Sequence, residues 1–185
     1  MGPAVPEIEL LSRSQQGDRG AFAQIIEKYW DRIYHWLFGL TGNKHLAEDL
    51  AQDTFMKAWA NLAQFKFEFS FRSWIFSIAR HAWIDGRKAT RKGAEELRSV
   101  DSPAVVNEPL NHLLDREGAD LLQAACRRLP EHFREAFMLW SREQMNFLEI
   151  GQALGITEAT ARWRVFKARA LLVQNLAGYL DEKVR

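Results

Sequence analysis

Apolar residues recur at three- and four-residue steps through most of this 185-residue chain, the pattern of helices that each bury one stripe. In GAFAQIIEKYWDRIYHWLFGLTG the residues Phe22, Ile25, Ile26, Tyr29, Ile33 and Leu37 keep that step, and Gly42 supplies a stop. A second helix is predicted over NKHLAEDLAQDTFMKAWANL and a third over FRSWIFSIARHAWIDGRKATRK, the latter with a break near Gly86. Residues 93–114 lose the period, gain Pro103 and Pro109, and read as a linker. Beyond it, LLQAACRRL, EHFREAFMLWSRE, FLEIGQAL and TEATARWRVFKARALLVQNL predict four more helices. The expected fold class is all-α: two helical domains, 5–92 and 115–185, joined by a flexible acidic linker at 93–114.

FKFEFSF breaks the helical pattern. Phe65, Phe67, Phe69 and Phe71 alternate with polar residues as in a half-buried strand. No second segment offers a partner, and a lone strand would leave its backbone groups unpaired. The segment is therefore expected to be a connecting loop with aromatic anchors.

Composition removes several function classes. No run approaches the roughly 20 apolar residues of a membrane span, and the first residues lack the basic end and apolar stretch of a signal peptide. The single cysteine, Cys126, cannot form an internal disulfide, which suits a reducing cytosol. Five histidines stand far apart with no Cys/His pairing at ligand spacing, so neither a metal nor another cofactor is expected. There is no G-x-S-x-G, and Cys126 sits in an apolar helical run, so the chain does not read as an enzyme.

The formal net charge of +1 conceals segregated charge. Arg80 to Lys92 holds five bases against one acid, Gly93 to Asp120 two bases against seven acids, and Ala161 to Arg169 four bases and no acid. Two basic patches separated by an acidic stretch point to two polyanion-binding modules.

The second helix carries the opposite sign. At about 100° per residue, Asp49, Gln52, Asp53 and Met56 share one face, while Ala47, Ala51, Phe55, Ala58 and Leu62 take the other and form its core side. Acids near a helix start can simply be a solvated face that complements the macrodipole. Met56 and Gln52 within the patch give it the amphiphilic mix of a docking surface.

AEDLAQDTFMKAW, followed by FRSWIFSIARHAWIDGRKATRK and then by RLPEHFREAFMLW and FLEIGQALGITEATARWRVFKARALL, resembles the extracytoplasmic-function sigma factors, the smallest sigma-70-type initiation factors of bacteria. The likeness runs from about Leu10 to Leu172, with three motifs in order and at matching separation. It implies that 5–92 is sigma region 2 and 115–185 sigma region 4. It further implies that Asp49, Gln52, Asp53 and Met56 face the clamp helices of the largest subunit of core RNA polymerase. The third helix and the loop Gln64 to Phe71 would melt promoter DNA at the −10 element and trap an extruded base. The residues that match are Phe67, Arg80, His81, Trp83, Arg87, Lys88 and Arg91. His81 stands where many relatives carry Asn, and Trp74 matches an aromatic that is expected in the core. An anti-sigma factor is also implied, with a cytoplasmic location or retention by that partner at the inner membrane. No small-molecule substrate is implied.

The residues support these DNA assignments on their own terms. Arg80, Arg87 and Arg91 form a stripe flanked by Trp83, and cations beside exposed rings suit phosphate neutralisation and stacking on unpaired bases. The last two helices form a helix-turn-helix: Asn146 and Glu149 fit a capping box, Gly155 the turn, and Thr157 the second cap. Ile150, Leu154, Ile156, Ala161 and Val165 would pack the pair. By the resemblance, Thr157, Glu158, Thr160, Arg162, Trp163, Arg164 and Lys167 contact the −35 element. Relatives usually carry a small polar residue in place of Trp163, whose ring either packs on neighbouring side chains or meets DNA. The competing reading is a helix-turn-helix regulator that acts without being a polymerase subunit; a helical scaffold that binds no DNA is a third.

Overall fold

A computed structural model of the chain describes residues 5–94 and 116–184, with side-chain surroundings for 5–87, 121–122 and 124–177. The described residues are mostly helical, with eight α-helices and no strand among them. They are α1 (Glu7–Gln15), α2 (Arg19–Thr41), α3 (Lys44–Asn61), α4 (Phe71–Ala94), α5 (Arg116–Arg127), α6 (Glu131–Ser141), α7 (Phe147–Leu154) and α8 (Glu158–Val184). The chain divides into two compact units, one built on α1, most of α2, α3 and α4, the other on α5 to α8, with residues 39–43 assigned to the second. The all-α expectation is met. The bounds 93–114 predicted for the linker fall almost wholly outside the described residues.

In the first unit α1 is an element that the periodicity did not announce. Nine residues give it only one buried edge, Leu10, Leu11 and Ser14, and its stability comes from what it docks on. The Glu7 carboxylate accepts from Tyr29 Oη at 3.0 Å and pairs with Lys28 of α2. Burial of the phenol and the adjacent Glu7 charge push the Tyr29 ionisation far above its ordinary range. At the other end Gln15 Nε2 donates to the carbonyls of Leu62 (2.9 Å) and Phe65 (2.8 Å). Asp18 then caps α2 by accepting from the Ala21 amide at 3.0 Å, a bond that holds its carboxyl below the usual range, with help from Arg13.

α2 buries Phe22, Ile25, Tyr29, Ile33, Trp36 and Leu37. It ends before Gly42, whose φ of +67° is the left-handed turn that stops a helix. α3 buries Ala47, Leu50, Ala51, Thr54, Phe55 and Ala58. A 3₁₀ turn, Leu62–Gln64, leads into the aromatic segment. That segment is a loop, as expected: the amides of Phe65 and Phe69 bond back to Leu62 and Lys66, so turns replace the missing strand partner. Phe65 and Phe71 are buried and meet edge to face at 5.4 Å, with the Trp74 ring 5.2 Å from Phe65.

The break predicted near Gly86 does not occur, and α4 runs through it. One glycine in a helix interior costs only about 1 kcal/mol relative to alanine, less than the packing of this long amphipathic helix returns. A Cβ on Gly86 would meet only Leu50 Cδ2 at 3.5 Å.

The second unit is centred on Ala125, Leu129, Phe133, Ala168 and Leu172, with Cys126, Phe137, Leu171 and Leu176 packed around them. Burial raises the Cys126 thiol to about 11, as befits a packed rather than reactive sulfur. The capping box is complete: Glu149 N donates to Asn146 Oδ1 at 2.9 Å, and Asn146 N to Glu149 Oε2 at 3.0 Å. Gly155 takes the left-handed conformation, φ +62°, and the Thr160 amide donates to Thr157 Oγ1 at 3.2 Å. One residue that the sequence did not single out proves decisive. A Cβ on Gly151 would lie 2.8 Å from the Ile156 carbonyl oxygen, so the turn closes only because that position is bare.

Two glycines therefore predict opposite outcomes in urea titrations followed by circular dichroism. Gly151→Ala should cost about 1–3 kcal/mol, because backbone must shift to admit the methyl. Gly86→Ala should be neutral or stabilise by up to about 1 kcal/mol. Equal losses at both positions would refute the packing described for the turn.

Candidate functional site

Three surfaces carry the candidate residues. On α3 the core stripe is buried, so the opposite side is presented outward. Asp49 and Gln52 are exposed, Asp53 is half-buried with Lys57 Nζ at 2.8 Å, and Met56 is 72% exposed. The four predicted residues thus lie together, and one of the two carboxylates already has a cationic neighbour.

On α4 the basic side is more selective than the sequence suggests. Arg80 is half-buried, while His81 is exposed with Nδ1 2.7 Å from the Ser77 carbonyl oxygen. Arg87 is exposed and its guanidinium lies 5.2 Å from the centre of the Trp83 ring. Trp83 itself departs from expectation. It is 3% exposed, so it offers no free face for stacking on a base. The reason is register: Trp83 lies four residues after Ala79 and seven after Phe76, on the buried stripe. The side chains of Lys88 and Arg91 lie outside the described ones. The exposed aromatics nearby belong instead to the loop, where Phe67 and Phe69 are 42% and 55% exposed. Phe67 meets the buried Phe65 ring edge to face at 5.6 Å, which gives the outer ring a fixed support.

On α8 the buried stripe is Ala161, Val165, Ala168 and Leu172. Thr157, Glu158, Arg162, Trp163 and Lys167 are exposed, and Thr160 and Arg164 half-buried. Thr157 and Thr160 spend their hydroxyls on each other at 2.8 Å as part of the cap. The segment from Ala161 contains no acid, but the helix does supply one: Glu158 Oε1 lies 2.7 Å from Arg162 Nη2 one turn earlier. The expectation that the four bases are uncompensated is corrected to that extent. Arg162 also covers the Phe147 ring at 5.3 Å, and Arg169 the Trp140 ring at 5.2 Å. Trp163 is 57% exposed with its ring set edge-on to Phe133 at 5.4 Å, so it packs and projects at once. Phe166, three residues on and equally exposed, shares the outward arc. The sequence reading passed over it, although its place in the helical period was the available signal.

No group of three or more His, Cys, Asp or Glu that could hold a metal ion exists among the described residues. No described helix is long and apolar enough to cross a membrane.

The helices that carry the acidic and basic faces are the ones that known proteins share. Residues 25–93 match the Sigma-70 region 2 family. The chain is 30% identical over 155 residues to the ECF RNA polymerase sigma factor SigM of Bacillus subtilis, an alignment spanning 80% of this chain and 91% of that protein. It is 26% identical to SigW of the same organism, over 90% of this chain and 94% of that one. Among solved structures, the sigma factor RpoE of Bartonella quintana, determined in complex with the anti-sigma factor NepR, superposes with a TM-score of 0.74 at 25% identity, covering 84% of this chain and 96% of that one. CnrH, solved with the cytosolic domain of CnrY, shares the fold at 22% identity, with a TM-score of 0.67 over 95% of this chain and 97% of that one. A relative matched at this identity across nine-tenths of its length decides the question: the chain belongs to the extracytoplasmic-function (ECF) RNA polymerase sigma factor family.

Proposed function

We propose that this sigma factor docks on the clamp helices of core RNA polymerase through α3, opens −10 promoter DNA with α4 and the aromatic loop, and reads the −35 element with α8. In this reading residues 5–92 and 115–185 are the two working modules and 93–114 the tether between them. The outer face of α3 carries the proposal. A face meant only for water has no use for a thioether 72% exposed one turn beyond Asp53, whereas methionine is enriched where proteins dock. Initiation by the chain with sigma-free core polymerase on genomic DNA, with RNA 5′ ends mapped, tests the whole reading. A regulator that is not a polymerase subunit would give no new starts.

The docking face makes a narrower prediction. Asp49→Lys with Asp53→Lys should abolish co-purification with core polymerase while helical circular dichroism is retained. The reversal also breaks the Asp53–Lys57 pair, but an exposed pair is worth no more than about 1 kcal/mol. Normal polymerase binding by that double variant would remove the assignment.

Strand opening is assigned to Phe67, Arg80, His81 and Arg87, with Lys88 and Arg91 beyond them. Trp83 serves as the buried plate on which Arg87 rests. Phe67→Ala with Arg87→Ala should slow the appearance of permanganate-reactive thymines at a cognate promoter without weakening polymerase binding, because stacking and phosphate contacts are needed once bases separate. On a pre-melted template the defect should shrink. An equal defect on both templates would show that these residues act elsewhere.

A cytoplasmic location follows from the polymerase partner. The NepR-bound state of the Bartonella protein supports an anti-sigma partner here as well, one that covers α3 and competes with polymerase. A stable ternary complex of that partner, polymerase and this chain would contradict competition.

A further inference from the structure

We propose that Trp163 is a specificity-determining residue whose indole face covers the methyl group of a thymine in the duplex bound by α8. The inference rests on the assignment of α8 to promoter DNA.

The position of the ring is the first argument. Ala161, Val165, Ala168 and Leu172 turn inward, and Trp163 stands roughly 140–180° from those four residues at 100° per residue. It is 57% exposed, so most of a large apolar side chain is presented away from the core.

Its support is the second. The ring meets Phe133 of α6 at 5.4 Å with an interplanar angle of 65°, an edge-to-face contact. Phe133 is itself buried with Ala125, Leu129, Ala168 and Leu172. Trp163 is therefore braced by the core on one side and exposed over most of the rest. A side chain fixed before binding has little rotamer freedom left to lose.

The flanking charges are the third. Arg162 is drawn to Glu158 at 2.7 Å and onto the Phe147 ring, and Arg169 lies over Trp140. Two of the four cations of this segment are thus oriented along the protein surface, where they suit phosphate more than base edges. Between them project two apolar rings, Trp163 and Phe166, with Lys167 beside them. In the major groove the feature that an apolar face can match is the C5-methyl of thymine, since every other base edge there offers donors or acceptors that an indole face leaves unpaired. Cations on either side bring the duplex close enough for that contact.

The test uses the full chain with core polymerase on a promoter it selects from genomic DNA. Each thymine of the protected −35 segment is replaced in turn by uracil, which removes the methyl and nothing else. The wild type should lose about fourfold in affinity at one position, the worth of one methyl removed from water. Trp163→Ser should lose a similar factor on the thymine duplex and show no further loss with uracil. Indifference of the wild type to uracil at every position would overturn the proposal, whatever the variant does. So would a variant that loses equally on both duplexes, which would make Trp163 a brace for Phe133 alone. If the wild-type holoenzyme protects no −35 segment at all, the assignment of α8 to promoter DNA fails first; protection that ignores uracil sinks only the thymine contact.

Discussion

The close approach of α3 to α4 is the constraint on which the first unit depends. α3 meets its neighbours through Ala47, Ala51 and Ala58, all with no exposed surface, and α4 contributes Ala79 and Ala82 to its own buried stripe. Side chains this small bring helix axes near one another and make a narrow seam. A narrow seam leaves most of the circumference of α3 for other purposes. Leu50 and Phe55 supply the bulk that alanines cannot, and Phe55 stacks on Trp30 of α2 at 5.8 Å. A polar, partly apolar face can therefore stand on a helix whose fixation costs it only one side.

α4 resolves the same problem differently. Its buried arc is wide, taking Phe71, Ile75, Phe76, Ala79, Ala82 and Trp83, and the cations are confined to what remains. This explains why a tryptophan beside an arginine stripe ended in the core. The two share an edge of the helix, and a ring of that size goes to the apolar side of the boundary. Arg87 then lies over it, so one residue of the pair is outward and supported by the other.

Most of the architecture was legible because it rests on period and punctuation. The α2 stripe, the stop at Gly42, the capping box at Asn146 and the turn at Gly155 each follow from residue types whose conformational preferences are strong and local. The acidic face of α3 was legible for the same reason, since its core side is so regular. What escaped was set by partners distant in sequence. α1 has too few apolar positions to declare itself, and exists through Glu7 finding donors and Gln15 finding acceptors elsewhere. Gly151 looked like an ordinary helical residue until the Ile156 carbonyl was seen to occupy the place of its missing side chain. The continuity of α4 through Gly86 was misjudged because a local penalty was weighed without the packing that overrides it.

The two bonds from Gln15 have a consequence in time as well as space. They join residues 47 and 50 positions apart, so the end of α1 and the start of the aromatic loop hold each other in place. During synthesis at about 5–20 residues per second, the amide of Gln15 leaves the ribosome some 3–10 s before the Phe65 carbonyl it will meet. Through that interval the C-terminal end of α1 lacks its anchor, and the helix is too short to persist by itself. In that interval α2 and α3 are made while the end of α1 is still unattached. The aromatic loop takes its final shape only when the earlier-made Gln15 returns to it.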